Sequence, residues 1–362
     1  MMIRILSIWM FLILAIGCQD KPKIEQKQKV VHSKKVKEKS KKEKNAEIDT
    51  LITKYKYYNQ AYNKIVQMLD GKKPLSFKRA AFLVEWAYLK GNLDYDKFCA
   101  DINQIVGGLN KFIDQKGVRM YKTAGNYALF EFFTKPHPMN GNQPFTYNFI
   151  DFYGGEDWTS VFVSKLMETH EGQCRSLPYL YRILAEEMKT EAHLAIGPNH
   201  CYIKHLGEDG KWVNIELTNG NFATDAWMIS SMDISAEAIK NRIYMDALSL
   251  EESIALCLSD LAQGYAREYG YLDNFVLACC DATLKYYPHS IHTLMLKCNT
   301  MSYQGLDFIK KYGRKETPEI LAHHKIFKET ERKIDSLGFR EMSAEKYEEW
   351  VRSMETEKQN YN

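Results

Sequence analysis

The segment EGQCRSLPYLY, residues 171–181, passes from a glycine-led turn into a helix. Leu177, Leu180, Tyr181, Leu184, Ala185 and Met188 recur at helical spacing and form one apolar stripe, so the spacing predicts an amphipathic helix. Pro178 is tolerated only in the first turn of a helix, where a missing N–H costs little. The helix therefore starts between Cys174 and Leu177. That start sets Cys174 at the positive end of the helix dipole, where a thiolate is favoured. A packing cysteine gains nothing from that position. A cysteine used for chemistry needs a base and a group to orient the base.

Both occur downstream. His200 to Leu206 and Lys211 to Thr218 have strand character and flank the turn cluster Gly207-Glu208-Asp209-Gly210, which predicts a β-hairpin. Folding it on that turn sets His200 roughly opposite Glu216, within reach of a carboxylate–imidazole hydrogen bond. A slip of one residue sends one of them to the other face, so the turn length decides the pairing. Asp225 and then Asp209 are the next acids in line. Cys201 falls on the face opposite His200 and reads as core. Gln173 and the backbone N–H of Cys174 are candidates to line an oxyanion site.

Taken together, GQCRSLPYLY, PNHCYIKH and KWVNIELTNG resemble the transglutaminase-like superfamily over roughly Trp158 to Trp227. The resemblance implies an α+β fold with a papain-like/transglutaminase-like core. In such a core the cysteine-bearing helix packs on a small antiparallel sheet. It further implies Cys174 as nucleophile, His200 as base and Glu216 as orienting acid. The family commonly has Asp in a W-x-x-x-D arrangement; here Trp212 is followed by Glu216. The superfamily includes peptidases, amidases, transglutaminases and members without activity. Two functions are therefore expected as alternatives. One is a thiol enzyme acting on peptide or protein amides. The other is an inactive module that keeps the cleft for peptide recognition. No metal and no cofactor is expected in either case.

The ends of the chain carry different information. Arg4 and the apolar run Ile5 to Ile16 have the form of a secretion signal, too short to span a bilayer comfortably. Leu14-Ala15-Ile16-Gly17-Cys18 resembles the lipobox of bacterial lipoproteins, which implies an acylated Cys18 as lipid anchor in a bacterial cell envelope. Residues 19–45 hold eleven lysines and four acids, with no aromatic residue. Such a segment is expected to be a disordered tether, lying near anionic headgroups. Taking its +7 and Arg4 from the overall +3 leaves −5 for residues 46–362, which disfavours nucleic acid as a partner. Seven cysteines follow Cys18, an odd number without CxxC spacing, so no disulfide framework is indicated.

The rest of the chain divides by periodicity. Residues 46–113 predict three or four helices, and 114–235 hold the transglutaminase-like domain, with aromatics at Tyr147, Phe149, Phe152 and Tyr153. Over 236–316, helices are predicted at Ser249 to Tyr269, Asp273 to Tyr286 and Ser290 to Met301. They loosely resemble tetratricopeptide repeats, about one and a half of them, and offer a surface for a protein partner. Residues 317–362 read as a charged, solvated helical tail.

Overall fold

In the computed structural model, which describes residues 56–151, 154–313 and 316–361, the first element is helix α1 over 56–69. Helices α2 (Phe77–Tyr88), α3 (Tyr95–Lys116) and α4 (Ala124–Thr134) follow. A short strand β1 (Thr146–Tyr147), a 3-10 turn at Trp158–Val161, helix α5 (Val163–Thr169) and strand β2 (Glu171–Gly172) lead to helix α6 (Ser176–Met188). The expected signal peptide, Cys18, the lysine tether, Phe152 and Tyr153 lie outside the described residues.

Strands β3 (His193–Gly197), β4 (His200–Leu206), β5 (Trp212–Glu216) and β6 (Asn221–Ala223) make an antiparallel meander in that order. Helices α7 (Asp225–Ser231) and α8 (Ala236–Lys240) lie between the sheet and four longer helices. These are α9 (Leu250–Tyr269), α10 (Phe275–Tyr286), α11 (Ile291–Tyr312) and α12 (Pro318–Ser336), and α13 (Ala344–Tyr361) closes the described chain. The architecture is mixed helix and sheet, as expected for α+β, and helix dominates.

From Ser176 to Ala185 the leucine stripe of α6 is buried, as its spacing requires, and so are Tyr179 and Ile183 on the other side; only the last turn, with Met188, is partly exposed. A helix buried all round lies at a centre. Helices α2, α3, α4 and α5 cover one side of α6, and β3 and β4 cover another. Its end is formed by Lys189 in the left-handed region, with Thr190 N–H returning to the Ala185 carbonyl at 2.9 Å.

Two carboxylates brace this centre across helices. Glu85 of α2 accepts the Val163 and Ser164 N–H groups at the start of α5, at 2.7 and 3.1 Å. Glu186 of α6 accepts those of Phe77 and Lys78 at the start of α2, at 3.2 and 3.1 Å. Each satisfies helix-start donors that have no partner within their own helix.

Helix α2 also packs on α9, and α9 to α12 each pack on the next. Gly264 lies in the first contact, where a Cβ would meet Tyr88, Trp158 and the Tyr58 hydroxyl at ordinary contact distances of 3.4–3.5 Å. One expectation is corrected here, and another is refined. Helix α11 runs on past Met301 to Tyr312, and α12 packs along it through one face while staying largely exposed, with Thr330 its one buried residue. Phe308 meets the His323 ring edge-on at 5.2 Å, one of the contacts that extend both helices beyond their most apolar stretches.

Candidate active site

The turn before Cys174 is built by close packing. A Cβ on Gly172 would lie 2.7 Å from both Leu166 Cδ1 and Ser176 Oγ, so only glycine fits. Ser176 Oγ accepts the Gln173 N–H at 2.9 Å and donates to the Ser160 carbonyl at 3.1 Å. The first helical bond runs from Leu177 N–H to the Gln173 carbonyl at 3.1 Å. Cys174 therefore sits half-buried in the opening turn of α6, where backbone N–H groups point outward and the helix dipole is positive. Its Sγ lies 3.8 Å from the Asn199 carbonyl.

Asn199 belongs to the two-residue turn Pro198-Asn199 that joins Gly197 to its partner His200. It adopts φ +51°, the left-handed conformation that a tight turn with proline at its first central position requires at the second. That turn brings the first residue of β4 beside the start of α6. His200 Nε2 is hydrogen-bonded to Glu216 Oε2 at 2.5 Å. Glu216 is buried at 3% exposure, and its other oxygen accepts the Thr218 N–H and hydroxyl at 3.0 and 2.7 Å.

The hairpin register differs from the expected one. Leu206 pairs with Trp212 and Ile203 with Ile215, so continuing the ladder sets Tyr202, not His200, opposite Glu216. The loop spans 207–211, with Gly207 N–H bonded to the Lys211 carbonyl at 2.8 Å, which shifts the pairing by two residues. A shift of two keeps side chains on their face. Glu216 therefore still reaches His200, along the diagonal of the sheet. The ring of His200 is near-parallel to that of Tyr202, with centroids 6.3 Å apart.

Charge reinforces this geometry. Burial alone would lower the His200 pKa. The Glu216 charge and hydrogen bonding to Cys174 and Glu216 outweigh burial and raise the pKa to about 10. For Glu216, burial pushes upward, but His200 and the Thr218 bonds prevail and hold the carboxyl below its ordinary range. The pair is thus an imidazolium–carboxylate pair with a thiol beside it.

The other candidates lie elsewhere. Gln173 is buried, and its amide donates to the Asp151 carbonyl, holding the preceding loop. Asp225 accepts from Asn214 Nδ2 at 2.7 Å, and Asp209 accepts the Lys211 N–H in the hairpin turn. Cys201 is buried in the core. Three further residues belong to the site: Asn199, which touches the thiol, Thr218, which holds the acid, and Arg175, the residue after the thiol. The Pro198-Asn199 pair was the one local cue, as a turn dipeptide directly before His200.

No family model, curated protein or solved structure matches the chain. Among the described residues, no group of three or more His, Cys, Asp and Glu side chains could hold a metal ion. No helix among them is long and apolar enough to cross a membrane.

Proposed function

We propose that the protein is a transglutaminase-like thiol enzyme acting on peptide or protein amides through Cys174, His200 and Glu216. The observation that carries this reading is the His200–Glu216 bond at 2.5 Å beside a half-buried thiol in the opening turn of α6. With Nε2 committed to Glu216, Nδ1 is the ring nitrogen left for the thiol. Sγ, as the thiolate paired with the His200 imidazolium, attacks the amide carbonyl carbon, and the developing oxyanion meets first-turn N–H groups, including that of Cys174. His200 passes its proton to the nitrogen as the C–N bond breaks, which leaves a thioester and a free amine. Water then releases an acid, and an amine acceptor instead gives a new amide. Glu216 keeps the imidazole oriented and stabilises its charged form, which His200 regains when it takes a proton from the incoming water or amine. The resemblance at Leu14–Cys18 supports a further part of the proposal, a lipid anchor at Cys18 that holds the enzyme at a bacterial envelope membrane.

Iodoacetamide at pH 6 tests the reading. Of the seven cysteines described, only Cys99 and Cys174 are partly exposed, so they form an internal comparison. Labelling of Cys174 at least tenfold faster than Cys99 is expected, and replacing His200 with Gln should abolish the difference. Equal, slow labelling of both would leave a peptide-binding module without turnover.

A further inference from the structure

The residue after Cys174 is tied to a part of the chain outside the segment that bears the triad. Arg175 forms an ion pair with Asp260 of α9, which is 4% exposed. The second carboxylate oxygen of Asp260 accepts the Tyr179 hydroxyl at 2.6 Å. The Arg175 guanidinium stands 5.8 Å from the centroid of the Tyr179 ring, one turn along α6. Around it lie Cys257 from α9, Cys201 from β4 and His292 from α11, all of which feel its charge. The His292 pKa is lowered to about 4, by burial first and by Arg175 second. Arg175 itself is 22% exposed, whereas the carboxylate of Asp260 is buried and needs this cation as its counter-ion.

Arg175 is also the residue that opens α6, with the Tyr179 N–H bonded to its carbonyl at 3.0 Å. We propose that Asp260 is a positioning residue for Cys174: by clamping Arg175 it holds the first turn of α6 and neutralises the guanidinium of the residue that follows the thiol. The helices after residue 249 then complete the active site instead of forming a separable appendage. This rests on Cys174 being the nucleophile proposed above.

The sign of the charge separates this role from mere support. The readout is the rate of Cys174 alkylation by iodoacetamide between pH 5 and 9 in the full chain, quantified by peptide mass spectrometry. Asp260→Asn leaves the guanidinium uncompensated and should speed labelling at pH 6 by about threefold, equal to roughly half a pH unit in the profile. Arg175→Met leaves the carboxylate uncompensated and should slow labelling by a similar factor. The double variant Arg175→Met/Asp260→Leu removes both charges and should return to within about 1.5-fold of the parent profile, a coupling visible only if the two act as a pair. Should Asp260→Asn fail to fold, Arg175→Met against the double variant decides alone. Profiles that stay unchanged, or that all move the same way, overturn the proposal. Glu216→Gln is the control for the underlying reading. If it leaves labelling untouched the triad is wrong, whatever the Asp260 variants do.

Discussion

Replacing Glu216 with Gln keeps the size of the side chain and removes its charge. In the parent the His200 pKa is raised to about 10, with burial opposing and Glu216 the largest upward cause. At pH 7.5 such a group is more than about 99% imidazolium. Without the carboxylate, burial remains and the Glu216 contributions vanish, so the pKa should fall to about 6.5 or below and leave at most about 10% imidazolium. The assay is histidine Cε1–H chemical shift against pH, with the His200 signal assigned by its loss in His200→Gln. The parent signal should hold its protonated position to beyond pH 8.5, while the variant signal should titrate near or below 6.5. A parent signal that titrates near 6.5, or a variant that titrates with the parent, would refute Glu216 as the partner. The same pair also shapes stability. A raised His pKa contributes fully below about 6.5 and is lost as pH climbs towards 10, whereas a lowered Glu pKa contributes above about 4.5 and is lost as pH falls. The melting-temperature gap between parent and Glu216→Gln should therefore be widest between about pH 4.5 and 6.5.

Other positions give independent tests. Gly172→Ala should cost about 1–3 kcal/mol by overpacking against Leu166 and Ser176, and should slow Cys174 labelling; an unchanged urea midpoint would show that the turn has room. Burial raises the Glu85 pKa to about 7 despite the two N–H bonds it accepts. As pH rises from 4.5 to 7 the parent should therefore lose about 3 kcal/mol that Glu85→Gln does not lose. Urea unfolding at pH 5 and pH 8 checks this, and a constant difference between the two proteins would show that Glu85 is ionised throughout. Cys18→Ser should free the protein from membranes with its fold intact; a variant that stays in the pellet after a high-salt wash would exclude the lipid anchor.

How far the sequence could be read depended on how local each interaction is. The start of α6 followed from Pro178 and the leucine stripe, because both act within a few residues. The face shared by His200 and Glu216 also survived, because the pleat preserves it under a shift of two. Their register did not, since the five-residue loop at 207–211 is set by the Gly207–Lys211 bond and by packing at Leu206 and Trp212. The burial of α6 on every side was hidden because its helical neighbours come from segments up to about a hundred residues away. The role of Arg175 was hidden for the same reason, as its partner Asp260 lies eighty-five positions later. The polar face of a periodic pattern does not say whether water or a counter-ion awaits it.

The crossed carboxylates bear on how the molecule comes apart. Phe162, at the entry to α5, offers no side-chain cap, so this seven-residue helix depends on Glu85 from a segment some eighty positions earlier. An isolated helix that short is not stable in water. Helix α2 in turn draws on Glu186, near the far end of the helix that carries the thiol. Neither α2 nor α6 can detach without stranding donors at the start of another helix. Residues 77–88 and 163–188 should therefore open as one cooperative unit, not by fraying. In hydrogen exchange, the amides of Val163 and Ser164 would then be protected to the level of the global core although they begin a helix, a position where exchange is ordinarily fast.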